Sequence, residues 1–307
     1  MPHRKGIVLY ITLAIILMLS TIIMLFLHKD ETLRKSLNKE INALQIQLLL
    51  KNFMTYFRRE KISQDDVFYG AGIPIPFSLS RKEGSITIDS ACRGIDANRY
   101  FSSLLKLKSD EDDLAFERLL AWLRERHFRD PQLLIDMILD TVDKDTFSRS
   151  PGSEIVLYRP GFQNGAILDD ETLRRILQIY HFRSSDPTGD DERFLDLFRV
   201  SYKGCFDLNF AQADQLYLLF NELDYLDAVE FSKHTERYKS TKDFPIDENV
   251  RNKLLHKHHN IIPQLKSSVI TIDVQLKDDN SSESAQKFGF FLDIKKRKVV
   301  KIFRPSL

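Results

Sequence analysis

Four aspartates in the middle of the sequence form its clearest candidate for ligand chemistry. Asp136, Asp140, Asp143 and Asp145 fall within ten residues. Carboxylate oxygens on a flexible loop suit Ca²⁺, which takes about six to eight oxygen ligands. Their spacing is not that of an EF-hand, and the same pattern is typical of a solvated acidic surface. From the pattern alone, a calcium site and plain surface acidity both remain open.

Two further polar groups carry weaker signals. Asp186, Asp190 and Asp191 form a second acidic loop, again without EF-hand spacing. His256 and His259 lie three residues apart, as metal ligands on one helix face do, but no Cys or carboxylate with ligand spacing lies near them in sequence. The favoured interpretation of these histidines is a solvated helix end, where cations interact well with the last carbonyls.

The two cysteines, Cys92 and Cys205, exclude a four-cysteine zinc site and a disulfide-dense miniprotein. They can pair only if their Cα atoms lie within about 7 Å, which the sequence does not decide. A cysteine without a placed histidine is more often structural than catalytic. The chain also lacks a Walker loop and the G-x-S-x-G, H-E-x-x-H and C-x-x-C motifs. We therefore predict that it is not an enzyme and uses no organic cofactor.

The overall composition is that of a globular protein. Of 307 residues, 29% are charged and 43% hydrophobic, and 45 basic side chains against 44 acidic ones give a net charge of +1. This composition excludes a collagenous or wholly disordered chain. It also argues against a nucleic-acid partner, because binding to phosphates requires positive charge.

The N-terminal segment differs from the rest of the chain. Residues 7–27 contain no charged side chain, whereas Arg4 and Lys5 precede them. A helix of this length spans about 31 Å, which matches a hydrocarbon core of about 30 Å, and predicts a single membrane crossing. The basic residues favour a cytoplasmic N-terminus. A cleaved secretory signal is disfavoured because its apolar region is shorter, about 7–15 residues.

An amphipathic pattern continues beyond this span. Apolar residues recur at helical spacing and predict a helix to about residue 58. They are Leu33, Leu37, Ile41, Leu44 and Leu48. This apolar face would pack either on the chain's own domain or in a parallel coiled coil. Packing on the domain is favoured because the heptad pattern covers only about two repeats.

The remaining sequence predicts helices enclosed by strands. Residues 70–76 break any helix, and residues 85–89 alternate like a short strand. Helix signals dominate the next 150 or so residues. Helix starts are predicted at Ser109, Asp130, Asp169, Asn209 and Asp247, and strands at 269–276, 287–294 and 298–303. The simplest architecture is a sheet assembled from both ends of the chain, with a helical insertion between them.

The first eleven residues resemble the leader of a type IV pilin or pseudopilin. Such leaders are short and basic, end in glycine and run directly into a hydrophobic helix, as His3-Arg4-Lys5-Gly6-Ile7-Val8-Leu9-Tyr10-Ile11 does. The resemblance implies that a prepilin peptidase cuts between Gly6 and Ile7 and methylates the new N-terminus. Most members have Glu at the fifth mature position, where this chain has Ile11. The K-type minor pseudopilin of type II secretion characteristically lacks that Glu.

Three internal segments resemble the same group, the general secretion pathway protein K family. Residues 138–145 (ILDTVDKD) resemble its LIDWIDxD segment, and residues 206–213 (FDLNFAQA) resemble its INLNTAPA turn. Residues 164–168 (NGAIL) resemble the segment that leads into its SELRL helix. The order of these segments and the missing Glu together favour a K-type minor pseudopilin.

This resemblance implies an α+β fold. A pilin-like long N-terminal helix would pack on an antiparallel sheet, with a large α-helical domain inserted. The implied ranges are the leader 1–6, the transmembrane half of the helix 7–27, the first part of the pilin-like domain 28–100, the helical insertion 101–260 and the completing strands 261–307. The chain would be a single-pass protein of the bacterial inner membrane with its C-terminal domain in the periplasm.

The implied function is that of a minor pseudopilin at the tip of the type II secretion pseudopilus. Its partners would be the I- and J-type minor pseudopilins, the prepilin peptidase and inner-membrane lipid, with no nucleic acid. K-type pseudopilins bind calcium in the helical domain, which strengthens the calcium hypothesis at Asp136, Asp140, Asp143 and Asp145. The alternative is a single-pass, inner-membrane-anchored periplasmic scaffold or sensor with an uncleaved anchor.

Overall fold

The computed structural model describes residues 63–79, 82–106, 110–185, 187–256, 258–278 and 286–303, together with isolated positions between residues 24 and 59. The chain divides into two compact units, Met1–Lys61 and Ile62–Leu307. Among the described residues, no helix is long and apolar enough to cross a membrane. Residues 7–27, where the crossing is predicted, lie outside the described residues except for Met24.

The first unit is helical at every described position, as the sequence predicts for residues 28–58. Its apolar stripe is exposed where it is described: Ile41, Leu44 and Leu48 are 50%, 59% and 60% exposed. The neighbouring Leu49 is buried. The unit therefore presents apolar side chains at helical spacing on its surface.

The second unit combines a helical body with a sheet. The helices are α1 (Gln64–Gly70), α2 (Ala97–Leu104), α3 (Asp110–Glu125), α4 (Pro131–Val142), α5 (Asp170–Ser184), α6 (Asp191–Leu197), α7 (Ala213–Leu219), α8 (Tyr225–Ser232) and α9 (Glu248–Leu254). The strands are β1 (Ile75–Leu79), β2 (Lys82–Ser90), β3 (Ile95–Asp96), β4 (Phe198–Arg199), β5 (Cys205–Asp207), β6 (Ile262–Gln264), β7 (Val269–Asp278), β8 (Gln286–Asp293) and β9 (Lys298–Phe303).

Aspartate side chains start most helices of the helical body. Each accepts a hydrogen bond from a backbone N–H in the first turn, which satisfies a donor that the helix itself leaves free. These N-caps are Asp96, Asp130, Asp169, Asp190, Asp224 and Asp247. The helix starts predicted at Asp130, Asp169 and Asp247 are confirmed, whereas the one predicted at Asn209 is wrong. The helix there, α7, begins at Ala213, because Gln212 and Gln215 supply a capping box.

The main sheet has five antiparallel strands in the order β1-β2-β7-β8-β9. Its centre pairs an early strand with a late one, with Ser90 opposite Ile270. Alternate residues of β7, from Ile270 to Leu276, are buried on one face, as the period-2 pattern predicts. A sheet built from both ends of the chain is thus confirmed. The helical body lies between β2 and β7 in sequence and runs from Ile95 to Gln264, so the predicted limits of 101 and 260 differ by a few residues.

Two elements depart from the sequence prediction. Residues 70–76 were expected only to break regular structure, yet β1 begins at Ile75 and includes Pro76. Because β1 is an edge strand, the missing N–H of Pro76 need not cost a ladder bond. Helix α1 is also additional, and a reciprocal capping box between Ser63 and Asp66 starts it.

The core of the helical body includes a cluster of four aromatic rings. Tyr100, Phe101, Phe194 and Phe198 are fully buried. Their successive ring centroids lie 5.0–5.5 Å apart. Such separations are in the favourable range for aromatic pairs. These contacts join α2 to α6 and β4 and so fix the two ends of the helical body's central segment.

Arg118 of α3 binds the chain segment that follows α7. Its Nη1 donates to the carbonyl oxygens of Tyr217, Leu223 and Phe220 at 2.7, 3.1 and 3.2 Å. Its Nη2 donates to the carbonyl oxygen of Asn221 at 3.2 Å, and the guanidinium lies 4.3 Å from the centroid of the Tyr217 ring. One side chain therefore neutralises carbonyls that the end of α7 leaves without helical partners.

Candidate functional site

The candidate residues lie in three places. Gly6, Ile7 and Ile11 lie outside the described residues, so the peptidase site stays a prediction. The four predicted calcium ligands lie in or near residues 140–164, which we call the acidic loop. The two cysteines lie at a junction formed by Ser90, Cys92, Cys205, Asp207 and Ser267, where the ends of β2 and β7 meet β5.

Helix α4 leads into the acidic loop. Asp130 and Pro131 start the helix, and four-residue spacing brings Asp136 and Asp140 to the same face. Both aspartates are buried, Asp140 completely. The Oδ1 of Asp136 accepts a hydrogen bond from Nε2 of Gln132 at 2.9 Å. Asp136 therefore has a partner within its own helix and does not reach into the loop contacts described next.

Arg149 bridges the next two aspartates. Its Nε lies 3.0 Å from Oδ1 of Asp140, and its Nη2 lies 2.6 Å from Oδ2 of Asp143. The Oδ2 of Asp140 accepts from Oγ of Ser153 at 2.5 Å and from the backbone N–H of Arg149 at 3.1 Å. Asp145, by contrast, is exposed and accepts from the backbone N–H of Phe147. The loop thus folds back onto Asp140 and Asp143.

Glu154 and Asn164 complete the acidic loop. Glu154 is almost fully buried, with 1% of its surface exposed. Its Oε1 accepts a hydrogen bond from Nδ2 of Asn164 at 2.8 Å, and the same Nδ2 donates to the carbonyl oxygen of Asp145 at 2.7 Å. The sequence analysis did not select Glu154 or Arg149, although it quoted Asn164 as part of a resemblance. Only the chain reversal after α4 brings these residues together.

Several buried oxygens of the acidic loop have no hydrogen-bond donor. They are Oδ1 of Asp140, Oδ1 of Asp143, Oγ of Ser150, Oε2 of Glu154 and Oδ1 of Asn164. Burial raises the pKa of Glu154, and the nearby carboxylates of Asp140 and Asp143 raise it further. Burial also raises the pKa of Asp140, against the lowering effect of its bonds to Ser153 and Arg149. Oxygen atoms in this state suit a bound cation, because unpaired buried acceptors are costly.

The four predicted aspartates do not form a single group. Among the residues that the structure describes, no three His, Cys, Asp or Glu side chains are arranged so that they could hold a metal ion. Asp140 and Asp143 share Arg149 instead, while Asp136 and Asp145 have other partners. The oxygens without donors are the observation that fits Ca²⁺, since they belong to carboxylates and an amide, the ligand types it prefers.

The weaker candidates of the sequence have local structural roles. Asp190 caps α6, and the carboxylate of Asp191 lies 2.6 Å from Nε2 of His181. His259 contacts Oγ of Ser103 through Nδ1 at 2.9 Å, and His258 contacts the carbonyl oxygen of Lys253 at 3.0 Å. These contacts agree with the structural interpretation of both groups.

A disulfide joins the sheet to the helical body. Cys92 follows β2, Cys205 starts β5, and their Cα atoms lie 5.0 Å apart across a sequence separation of 113 residues. The backbone N–H of Asp207 donates to the carbonyl oxygen of Cys92 at 2.9 Å. Strand β5 also pairs in parallel with β6, which precedes β7. Covalent and backbone bonds therefore meet at one point.

Asp207 is the buried carboxylate of this junction. Its Oδ1 accepts from the backbone N–H of Asn209 at 3.1 Å, and its Oδ2 accepts from Oγ of Ser90 at 3.4 Å. Burial raises the pKa of Asp207 to about 6, because desolvation outweighs the hydrogen bonds that favour the charged form. Asn209 in turn holds the backbone of Tyr238 and Leu265 through its side-chain amide.

We expect this group to make stability depend on pH. Because the folded pKa lies above the ordinary 3.8, the folded protein binds a proton between about pH 4 and pH 6 that the unfolded chain does not. This stabilisation is complete at low pH and is lost as pH rises through 6. Between pH 4.5 and 7.5 the loss amounts to about 2 kcal/mol.

Urea unfolding at the two pH values checks this expectation. Asp207→Asn should remove the dependence, whereas Asp196→Asn, at an exposed position, should retain it. An unchanged pH profile in Asp207→Asn would show that another group titrates.

The fold has a counterpart among solved structures. No family model matches the chain, and no curated protein is similar to it in sequence. A chain of the crystal structure of the GspK-GspI-GspJ complex from the enterotoxigenic Escherichia coli type 2 secretion system aligns with a TM-score of 0.54 and 12% identity. The match covers 89% of this chain and 99% of that chain. The two chains share one fold.

This match confirms, at the level of the fold, the resemblance to minor pseudopilins of type II secretion. A match over 89% of the chain cannot be confined to the helical body or to the sheet. The shared fold therefore includes the helical body between the two halves of the sheet. It is an α+β fold with an antiparallel sheet, as predicted; packing of the N-terminal helix on that sheet stays a prediction.

Proposed function

We propose that this chain is a K-type minor pseudopilin that assembles with I- and J-type minor pseudopilins at the tip of a type II secretion pseudopilus. The observation that carries the proposal is the shared fold with a chain of the GspK-GspI-GspJ complex, which spans almost the whole of that chain. The proposed role is mechanical assembly, and it requires no catalytic residue.

Two features support a position at the tip. The helical body of residues 95–264 adds bulk to the sheet, and such bulk would obstruct a further subunit stacking above it. Ile11 stands where most pilins have a Glu that is thought to pair with the N-terminus of the subunit above. A subunit with nothing above it has no use for that Glu.

The N-terminal unit would supply the lateral contacts. Residues 7–27 are long enough to wait in the inner membrane, with the N-terminus in the cytoplasm and the second unit in the periplasm. Ile41, Leu44 and Leu48 continue the apolar surface and are exposed. Exposed apolar side chains at helical spacing suit packing against neighbouring helices, because burying them removes apolar area from water.

Processing of the leader tests this proposal. We expect the mature protein to begin at Ile7 with a methylated amino group, and we expect Gly6→Val to leave the precursor uncut and to abolish secretion. The mass of the N-terminal peptide is the measurement. Gly70→Val is a matched control, since a side chain there meets no atom within 4 Å and the leader is intact. Normal processing of Gly6→Val, or intact residues 1–6 in the mature protein, would favour the uncleaved anchor.

We also propose that the acidic loop binds Ca²⁺. Asp140, Asp143 and Glu154 would supply carboxylate oxygens and Asn164 an amide oxygen, because each has a buried oxygen without a donor. Bound calcium would neutralise the loop and tie the end of α4 to residues 154–164. Asp136 and Asp145, the outer members of the predicted set, have other partners and are not required.

Calcium removal tests the site. We expect the melting temperature of the full chain to fall by several degrees in EGTA, and Glu154→Gln to bind calcium at least about tenfold more weakly. Isothermal titration with CaCl₂ and thermal unfolding are the measurements. Glu171→Gln, at a partly exposed residue of α5, is the control. Equal melting temperatures of the wild type in EGTA and in calcium would remove the proposal.

A further inference from the structure

The guanidinium of Arg149 lies where the proposed calcium site has its carboxylates. Its Nε lies 3.0 Å from Oδ1 of Asp140, and its Nη2 lies 2.6 Å from Oδ2 of Asp143. Each of these aspartates has its Oδ1 among the buried oxygens without a hydrogen-bond donor. A cation bound to both aspartates and this guanidinium would therefore require the same space.

We propose that Arg149 and Ca²⁺ compete for the acidic loop. When calcium is scarce, the guanidinium neutralises Asp140 and Asp143; when calcium binds, the guanidinium moves into solvent. This inference rests on the proposed calcium binding and adds its regulation, namely an internal cation that lowers the affinity of the site.

The exposure of the partners decides which of them can move. The side chain of Arg149 is 36% exposed, whereas the side chains of Asp140 and Asp143 are 1% and 13% exposed. Asp140 is also held by Ser153 and by the backbone N–H of Arg149. Because that backbone bond does not involve the guanidinium, the loop can stay closed while the arginine side chain leaves.

The guanidinium satisfies only part of the loop. In the structure with Arg149 in place, Oε2 of Glu154 and Oδ1 of Asn164 still have no donor. A guanidinium carries one charge and donates in a fixed plane. A divalent ion carries two charges and collects about six to eight oxygens from any direction. Calcium can therefore engage oxygens that Arg149 leaves unpaired, which gives the exchange its driving force.

The competition predicts opposite effects of one substitution in two conditions. In EGTA, Arg149→Gln should melt at a lower temperature than the wild type, because Asp140 and Asp143 lose their cation. In saturating calcium the two should melt alike, since the guanidinium is displaced in both. The calcium affinity of Arg149→Gln should rise at least about tenfold, because no charge must be displaced.

The experiment uses the full chain in detergent, with isothermal titration of CaCl₂ and thermal unfolding in EGTA and in calcium. Arg175→Gln, an exposed arginine of α5, is the matched control and should change neither affinity nor melting temperature. Arg149→Lys keeps the charge but loses the bidentate fork, so its affinity should lie between those of wild type and Arg149→Gln.

The outcomes separate the competing explanations. Unchanged or weaker calcium binding by Arg149→Gln would overturn the competition, and so would a loss of stability that calcium does not restore. If neither the wild type nor Arg149→Gln binds calcium, the calcium proposal itself fails, together with this inference. Cleavage after Gly6 is independent of both results and tests the pseudopilin assignment separately.

Discussion

Replacing both cysteines by alanine is expected to lower the free energy of unfolding by about 3–4 kcal/mol. The bond between Cys92 and Cys205 closes a loop with a sequence separation of 113 residues. In the chain-entropy account, opening so long a loop returns much freedom to the unfolded chain and so stabilises it relative to the folded state. Both cysteines are buried at the junction, so the folded state also loses packing there.

Urea unfolding of the full chain measures this effect. The double variant should unfold at a lower urea concentration than the oxidised wild type. Reduced wild type should resemble the double variant, and a reductant should leave the variant itself unchanged. Equal midpoints for oxidised wild type and variant would mean that β5 is held at the junction by its backbone bonds to β6 and Cys92 alone.

Arg118→Ala is expected to cost about 3 kcal/mol of stability. Hydrogen bonds to charged groups contribute about 1.5–3 kcal/mol each, but several bonds to one group are not additive. The substitution leaves the carbonyl oxygens of Tyr217, Phe220, Asn221 and Leu223 without the donors that Arg118 supplies. It also removes the contact of the guanidinium with the Tyr217 ring.

Thermal and urea unfolding check this value, with Arg124→Ala as the control. Arg124 is exposed on the same helix, and its removal should change stability by less than about 0.5 kcal/mol. Arg118→Lys should recover part of the loss, because an ammonium has three donors but lacks the planar fork. A variant Arg118→Ala as stable as Arg124→Ala would show that water replaces the guanidinium without cost.

Local features of the fold are predictable from the sequence. The Asp-Pro pair at 130–131 and Asp169 mark helix starts because side-chain capping depends only on residues within one turn. The alternation in β7 identifies a half-buried strand for the same reason, since it requires only period 2. Asn209 misled the prediction because its amide binds Tyr238 and Leu265, which are remote in sequence.

The candidate site is predictable only in part. Asp140 and Asp143 were selected because acidic residues near a helix end are visible in the sequence. Glu154, Arg149 and Asn164 were not assigned to the site, because they join it only after the chain reverses behind α4. Arg118 and the carbonyls it binds lie about 100 residues apart, and no local pattern relates residues at such distances. Contacts of this kind need the fold.

The pairing of β2 with β7 has a consequence for biogenesis. Ser90 pairs with Ile270, so the ribosome must add about 180 residues, which takes roughly 10–40 s at ordinary rates of synthesis, before the two strands can meet. During that time the hairpin of β1 and β2 has an open edge that can pair with other chains. The helical body, whose residues emerge in the interval, can form first. A nascent chain with this topology needs a protector for its first hairpin until the last strands arrive.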